Sequence, residues 1–304
     1  MNRRSFIYNT TTALTASNFL FVNDAFAKQN YEQITILHTN DVHSRIEAFP
    51  EGSKYAGMGG FAKRATLIKK IRATEPNVLL LDAGDLIQGT PYFNLFNGTL
   101  EIKLMNELGY DVTTIGNHDF DAGMNGLEKL IDEANFKFVS SNYNFENTNI
   151  KNKTYKYQII NKGDVKIGIY GLGIGLKGLV PEKKSENTKY ENPYETAIYT
   201  ENYLKDKEAC DLIICLSHLG FKYNNNNNTP SDVLLAAKTK HTNLIIGGHT
   251  HTLLTQPKIL TNSVGNNVII SQVGWGGTHV GLVKYYFNKK TKNLKVQPHI
   301  VISV

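Results

Sequence analysis

The stretch Ile36-Leu37-His38-Thr39-Asn40-Asp41-Val42-His43 begins as an apolar, strand-like run and breaks at once into a turn of Thr, Asn, Asp and His. Four more segments share that design: Leu80-Leu81-Asp82-Ala83-Gly84-Asp85, Thr114-Ile115-Gly116-Asn117-His118-Asp119, Cys215-Leu216-Ser217-His218 and Ile245-Ile246-Gly247-Gly248-His249-Thr250-His251. Each puts ligand-type side chains at the carboxyl end of a strand, the edge where crevices open in α/β sheets. If the five strands are neighbours, those side chains converge without a long reach. Asp41 and His43, like His249 and His251, are two apart, and on extended backbone such pairs face the same side. Gly84, Gly116, Gly247 and Gly248 allow close backbone approach to the cluster.

Outward from these motifs, short β-rich runs alternate with helical patterns. Strands are expected at Ile34 to Leu37, Val78 to Leu81, Val112 to Ile115, Leu212 to Leu216 and Leu244 to Ile246. Helices are expected near Gly60 to Ala73, Thr99 to Leu108, Gly126 to Ala134 and Tyr194 to Lys207. A hairpin should turn at Lys162-Gly163-Asp164, between Tyr155 to Ile160 and Val165 to Tyr170, and another at Asn288 to Asn293. This alternation predicts an α/β fold with a mixed sheet or two packed sheets. No internal repeat or linker-like stretch divides the chain, so one domain is expected over residues 28–304. The run Asn224 to Asn228 reads as an exposed loop ahead of a helix that Ser231 could cap.

At 304 residues and 41% hydrophobic composition the chain can bury a substantial core. Its formal charge of +6 is scattered over single residues and pairs such as Lys183-Lys184, read as a solvated face. That is no nucleic-acid footprint, which needs a concentrated stripe. Residues 1–27 open with Arg3-Arg4, continue through a Thr-rich apolar stretch and end in Ala25-Phe26-Ala27, a small-x-small cleavage pattern. The stretch is too short to span a bilayer, so a cleaved export signal is expected rather than a membrane anchor. The paired arginines resemble twin-arginine signals and imply a periplasmic location. Cys210 and Cys215 flank an extended run that would hold them too far apart to bridge, so both are expected free and buried.

The motif residues Asp41, His43, Asp85, Asn117, His218, His249 and His251 combine imidazole, carboxylate and amide oxygen without sulfur. That set suits Mn, Zn, Co or Fe rather than Ca or an iron–sulfur cluster. More than four ligands in one place implies two divalent metal ions. Against two carboxylates, such a pair leaves a charge of about +2, matched to a phosphate monoester dianion. Ions about 3.5 to 4 Å apart clamp the attacking and leaving oxygens and lower the pKa of a bound water to about 7, supplying hydroxide at neutral pH. His38, His241, His279 and His299 read as core or surface residues. Asn94, on a loop expected from Thr90 to Gly98, stands either at substrate or in packing. Trp275, between glycines, reads as loop packing, with a base-stacking platform as the alternative.

Asp41-x-His43, Gly84-Asp85, Gly116-Asn117-His118-Asp119, His218 and Gly248-His249-x-His251 resemble the signature of calcineurin-like metallophosphoesterases, and more closely the 5'-nucleotidase family. The strings Ile36 to Val42, Gly89 to Gly98 and Gly116 to Gly123 extend the resemblance from about Ile34 to near Asn288. It implies a four-layer α/β/β/α sandwich. It implies one ion on Asp41, His43, Asp85 and His251 and a second on Asp85, Asn117, His218 and His249, with Asp85 shared. It implies that His118 is catalytic, stabilising phosphoryl oxygens in the transition state, with Asp121 as its partner. A carboxylate beside an imidazole favours the charged, donating form that this role needs. With the export signal read in residues 1–27, the resemblance points to an exported phosphomonoesterase acting on a phosphate ester, a nucleotide foremost. A phosphodiesterase, a broad phosphatase or a non-catalytic metal-binding subunit are the alternatives. Two-domain family members take their nucleoside pocket from a C-terminal domain, whereas this chain stops at Val304. A separately encoded nucleotide-binding partner, or a different substrate, is the expectation.

Overall fold

Along β1 (Tyr31–Thr39) the side chains alternate between two cores, as the two-residue period of a strand requires: Ile34 and Ile36 enter one and Leu37 the other. β2 (Val78–Asp82) repeats this with Leu79 and Leu81 against Leu80. Both strands are therefore apolar on both faces, the mark of a sheet covered on each side. The structure, a computed structural model, describes residues 30–224 and 228–304. The expected export signal in residues 1–27 lies outside the described residues, as do three asparagines of the Asn224 to Asn228 run.

Two six-stranded mixed sheets result. The first adds β3 (Val112–Thr114) and β4 (Lys137–Val139), parallel to β1 and β2, and the antiparallel hairpin of β13 (His279–Asn288) and β14 (Leu294–Ser303); its order is β14-β13-β1-β2-β3-β4. β5 (Tyr143–Asn144) and β8 (Lys189–Tyr190) form a separate two-stranded ribbon. The second sheet comprises β6 (Tyr157–Lys162), β7 (Val165–Gly173), β9 (Leu212–His218), β10 (Leu244–Gly247), β11 (Lys258–Thr261) and β12 (Asn267–Ser271), in the order β11-β12-β10-β9-β7-β6. The expected hairpin at Gly163-Asp164 pairs Lys162 with Val165.

The sheets face each other across a shared core in which Ile36, Leu79 and Leu81 meet Ile167, Leu212, Ile214 and Ile246. On the outer face of the first sheet lie α1 (Phe61–Thr74), α2 (Pro91–Phe96), α3 (Thr99–Leu108) and α4 (Gly123–Glu133). Ile102, Met105 and Leu108 on α3, and Met124, Leu127 and Leu130 on α4, recur at helical spacing and turn one buried face to that sheet. After the short α5 (Glu182–Ser185), α6 (Pro193–Asp206) and α7 (Asp232–Lys238) cover the second sheet, burying Ala197, Leu204, Leu235 and Ala236 against Ile213, Cys215 and Ile245. This is the expected α/β/β/α sandwich. α6 is capped by Asn192, whose Oδ1 accepts from Tyr194 N at 3.0 Å, while Ser231 makes no side-chain cap on α7. Cys210 and Cys215 are free and buried. Among the described residues no helix is long and apolar enough to cross a membrane.

Two sequence-based expectations change here. The five motif strands are not neighbours in one sheet: β1, β2 and β3 belong to the first and β9 and β10 to the second. The segment expected as a loop from Thr90 to Gly98 contains α2, started by Pro91 at the first helical position.

Candidate functional site

The carboxyl ends of β1, β2, β3, β9 and β10 meet at one end of the sandwich, so the two sheets deliver their turns to one place. Two clusters form there: Asp41, His43 and His251, and Asp85, His218 and His249, the candidate ligand atoms within each lying within 4.8 Å of one another. Within the first, His43 Nε2 is 3.0 Å from His251 Nε2; the two clusters meet where His43 Nε2 lies 3.7 Å from Asp85 Oδ2 and His218 Nε2 lies 3.9 Å from Asp41 Oδ1. Asn117 Oδ1 is 2.8 Å from His249 Nδ1, which joins it to the second cluster. All seven residues expected as ligands are thereby together.

The route to this geometry differs from strand alternation. Asp41, His43, Asp85, His249 and His251 all have positive φ, from 48° to 72°. The i, i+2 pairs therefore reach the site through left-handed turns, a conformation that costs a non-glycine residue about 1 kcal/mol or more. Hydrogen bonds hold these turns. Asp41 N donates to Gly84 O at 3.0 Å, His43 N to Asp85 O at 3.1 Å, and Gly276 N to Asp41 O at 2.7 Å. His249 N donates to Asp41 Oδ1 at 3.0 Å and His118 N to Asp85 Oδ1 at 2.7 Å. Two glycines are required by close approach: a Cβ on Gly116 would lie 2.2 Å from Asp85 Oδ1, and one on Gly248 would lie 2.8 Å from His218 Nδ1.

The electrostatics follow from burial. His218 donates Nδ1–H to Ala83 O at 2.7 Å, which aims Nε2 into the cluster. Burial disfavours its charge, but the Asp85 carboxylate 3.0 Å away, aided by Asp41, outweighs it and raises its pKa to about 10. Asp85 is the mirror case: burial pushes it up, and His218 with His43 holds it well below the usual range. Burial lowers His43, and burial with the neighbouring His218 lowers His249 to about 4, which leaves both imidazoles neutral and able to donate a lone pair. The residues fit a pair of divalent ions on two observations. The donor set is oxygen and imidazole nitrogen. His218 Nε2 is fully buried yet has no partner in hydrogen-bond geometry among the described residues, although it lies beside Asp85.

His118 sits beside the clusters rather than in them, its ring 5.2 Å from that of His43. It opens a single turn of 3-10 helix (His118–Phe120), and its Nδ1 is 2.7 Å from Asp121 Oδ2. Asp121 carries a second bond from Lys184 Nζ at 3.0 Å. Trp275 packs, as its loop reading expects, but on a candidate ligand: its ring lies 5.6 Å from His251 at an interplanar angle of 5°, with Phe49 and Tyr55 around it. Asn94 is exposed and lines a hollow of about 290 Å³ with Gln88, Thr90 and Phe93. His38 is buried against Ser271 Oγ at 2.7 Å, and His279 lies beside Thr278, so the reading as core or surface residues suits both; the side chain of His299 lies outside the described residues.

Sequence reasoning missed the residues behind the candidate ligands. Asp119 accepts from Asp85 N, Leu86 N and Gly116 N, binding the second and third motifs together; burial, then the charge of Asp85, raises it to about 7. Its place beside His118 was a usable signal. Asn40 bonds Asp41 Oδ2 and Gly274 O, both at 2.7 Å, and ties the first motif to the Trp275 loop. Asp232, on α7, accepts from Ser217 Oγ at 2.5 Å, and no sequence pattern connects it to His218.

Residues 34–253 match the family described as calcineurin-like phosphoesterase. The 5'-nucleotidase of Bos taurus is 33% identical over 288 residues, which cover 85% of this chain and 47% of that protein. The chain spans about half the length of the curated 5'-nucleotidases it matches. Among solved structures, a 5'-nucleotidase precursor from Thermus thermophilus superposes with a TM-score of 0.79 at 30% identity, covering 90% of this chain and 55% of that one. The NAD nucleotidase NadN of Haemophilus influenzae gives 0.79 at 27% identity, covering 91% and 51%.

Proposed function

The chain belongs to the calcineurin-like phosphoesterase family, and on that premise we propose that it is an exported, dinuclear phosphohydrolase of phosphate monoesters, nucleotides foremost. The observation that carries this reading is the contact of two three-residue ligand clusters with an imidazole, His118, held beside them by its own carboxylate. A scaffold that only bound metal would have no use for that imidazole.

In this reading Asp41, His43, Asp85 and His251 hold one ion and Asp85, Asn117, His218 and His249 the other, drawn from Mn, Zn, Co or Fe. When bound, such a pair polarises a phosphoryl group and makes a water acidic enough to attack it at neutral pH. The chain's own contribution is orientation and charge. Asp121 accepts from His118 Nδ1, which leaves Nε2 as the ring nitrogen that would donate to a phosphoryl oxygen. The left-handed turns set the carboxylates before substrate arrives, so little rearrangement accompanies the reaction.

Substrate class rests on the relatives, whose names are those of 5'-nucleotidases. Residues 28–304 are taken as one catalytic domain, and periplasmic export rests on the reading of residues 1–27. Broad phosphatase activity is the second reading, favoured by Trp275: one face of the obvious base platform lies on His251. Base selectivity is accordingly assigned to a separate nucleoside-binding partner. The test is hydrolysis of AMP, a cyclic nucleotide, a sugar phosphate and an aryl phosphate with added Mn. Release of phosphate from the monoesters, with little preference for AMP over the aryl ester, is expected. Strong AMP selectivity by this chain alone would overturn the split, and no hydrolysis of any ester would overturn the enzyme.

A further inference from the structure

Asp121 is bonded on both oxygens. Oδ2 faces His118 Nδ1 at 2.7 Å, and Oδ1 accepts from Lys184 Nζ at 3.0 Å. The two partners come from separate parts of the chain. His118 and Asp121 lie on the turn that follows β3, while Lys184 lies on α5, in the connection that leaves the carboxyl end of β7 in the opposite sheet. That connection packs against α4, with Thr188 Oγ1 3.8 Å from Met124 Sδ.

We propose that Lys184 is a positioning residue for the reaction, acting through Asp121 to fix the plane of the His118 imidazole. The inference rests on His118 being the transition-state donor. A carboxylate with one partner can swing about its last torsion and carry that partner with it. With one charge-assisted bond on each oxygen, from separate parts of the chain, its plane is set and the ring bonded to it inherits that orientation. The side chains of Lys184, Asp121 and His118 are 33%, 19% and 38% exposed, and ion pairs this open add little to stability. Orientation at the cleft is then the role the geometry leaves for Lys184. The neighbouring Lys183 shares its charge and lacks its contact with Asp121, so the pair Lys183-Lys184 is only in part a solvated face.

The experiment compares K184M, K184R, D121N, the double variant K184M/D121N and H118N, with an aryl phosphate as substrate and Mn bound to every protein. Metal content is measured in parallel. K184M should lower kcat about 3- to 10-fold, less than the loss for a group that touches the ligand directly. KM and metal content should stay unchanged, and K184R should recover most of the rate. The double variant should be no slower than D121N, since Lys184 acts only through that carboxylate. H118N should lose about two to three orders of magnitude in kcat with both ions retained. A K184M enzyme as fast as wild type, or losses that multiply in the double variant, would overturn the role of Lys184 while leaving that of His118 intact. Wild-type turnover in H118N would instead remove the His118 reading, and Lys184's role with it.

Discussion

The two candidate ligand clusters are built from the same side chains, one aspartate and two histidines each, and differ in how they are enclosed. In the cluster of Asp85, His218 and His249, His218 is wholly buried and anchored from behind on Ala83 O. In the cluster of Asp41, His43 and His251, the His251 side chain is 40% exposed and its ring lies flat on Trp275. Ligand identity sets which metals are suitable. The shell behind the ligands sets how firmly each is held. The two centres should therefore fill in separate steps, the enclosed one first.

The strongest way to break that contrast is to remove what the clusters share. Asp85 touches His43 at 3.7 Å and His218 at 3.0 Å, so D85N should abolish both binding steps and activity together. Losing a partner behind a ligand costs about 10- to 100-fold in affinity, and losing a shared ligand should exceed that at both centres. Metal titration against a chelator reads it; one step surviving unchanged would show that Asp85 is not shared.

A smaller, one-sided effect is expected from W275A. With its stacking surface gone, His251 should weaken the looser step about 10-fold and leave the tighter step as it was. The same titration is the measurement, and equal weakening of both steps would erase the contrast.

The smallest effect concerns the polar backing of the enclosed cluster. Burial raises Asp232 to about 8, even though Ser217 donates to it, and its Oδ2 has no hydrogen-bond partner among the described residues. Its carboxyl group stays protonated in the fold at pH values where the unfolded chain has lost that proton. Stability from Asp232 is thus full below pH 4 and falls as pH rises toward 8. D232N cannot ionise, so its stability relative to wild type should grow over that range, by about 1 kcal/mol or more. Urea melts of the metal-free proteins from pH 4 to 8 measure it, and a constant difference would mean that Asp232 is charged throughout.

The candidate ligands stood out because each motif ends an apolar run in residues that serve no packing purpose: Asp41 after Leu37, His218 after Leu216, His249 after Ile246. Their division between two sheets was not. Ile34 to Leu37 and Leu212 to Leu216 are apolar on both faces, and a strand buried on both faces reads alike in either sheet. The short β4 and β11 left no periodicity to read. The left-handed turns were hidden for another reason, because Asp and His, unlike Gly, do not announce positive φ. Lys184 reads as a surface lysine, since its partner Asp121 is 63 positions away and belongs to a different strand connection.

His43 and His251, whose nitrogens lie 3.0 Å apart, are separated by 208 positions in the chain. Anything that binds both therefore works as a covalent cross-link does. It closes a loop that takes in most of the chain and removes about 5 kcal/mol of conformational entropy from the unfolded ensemble. The same link stitches the end of the first sheet to the end of the second, and fraying of either sheet alone cannot undo it. A chelator would then act on this fold much as a reductant acts on a disulfide-bonded one: by cutting the stitch before any strand has come apart.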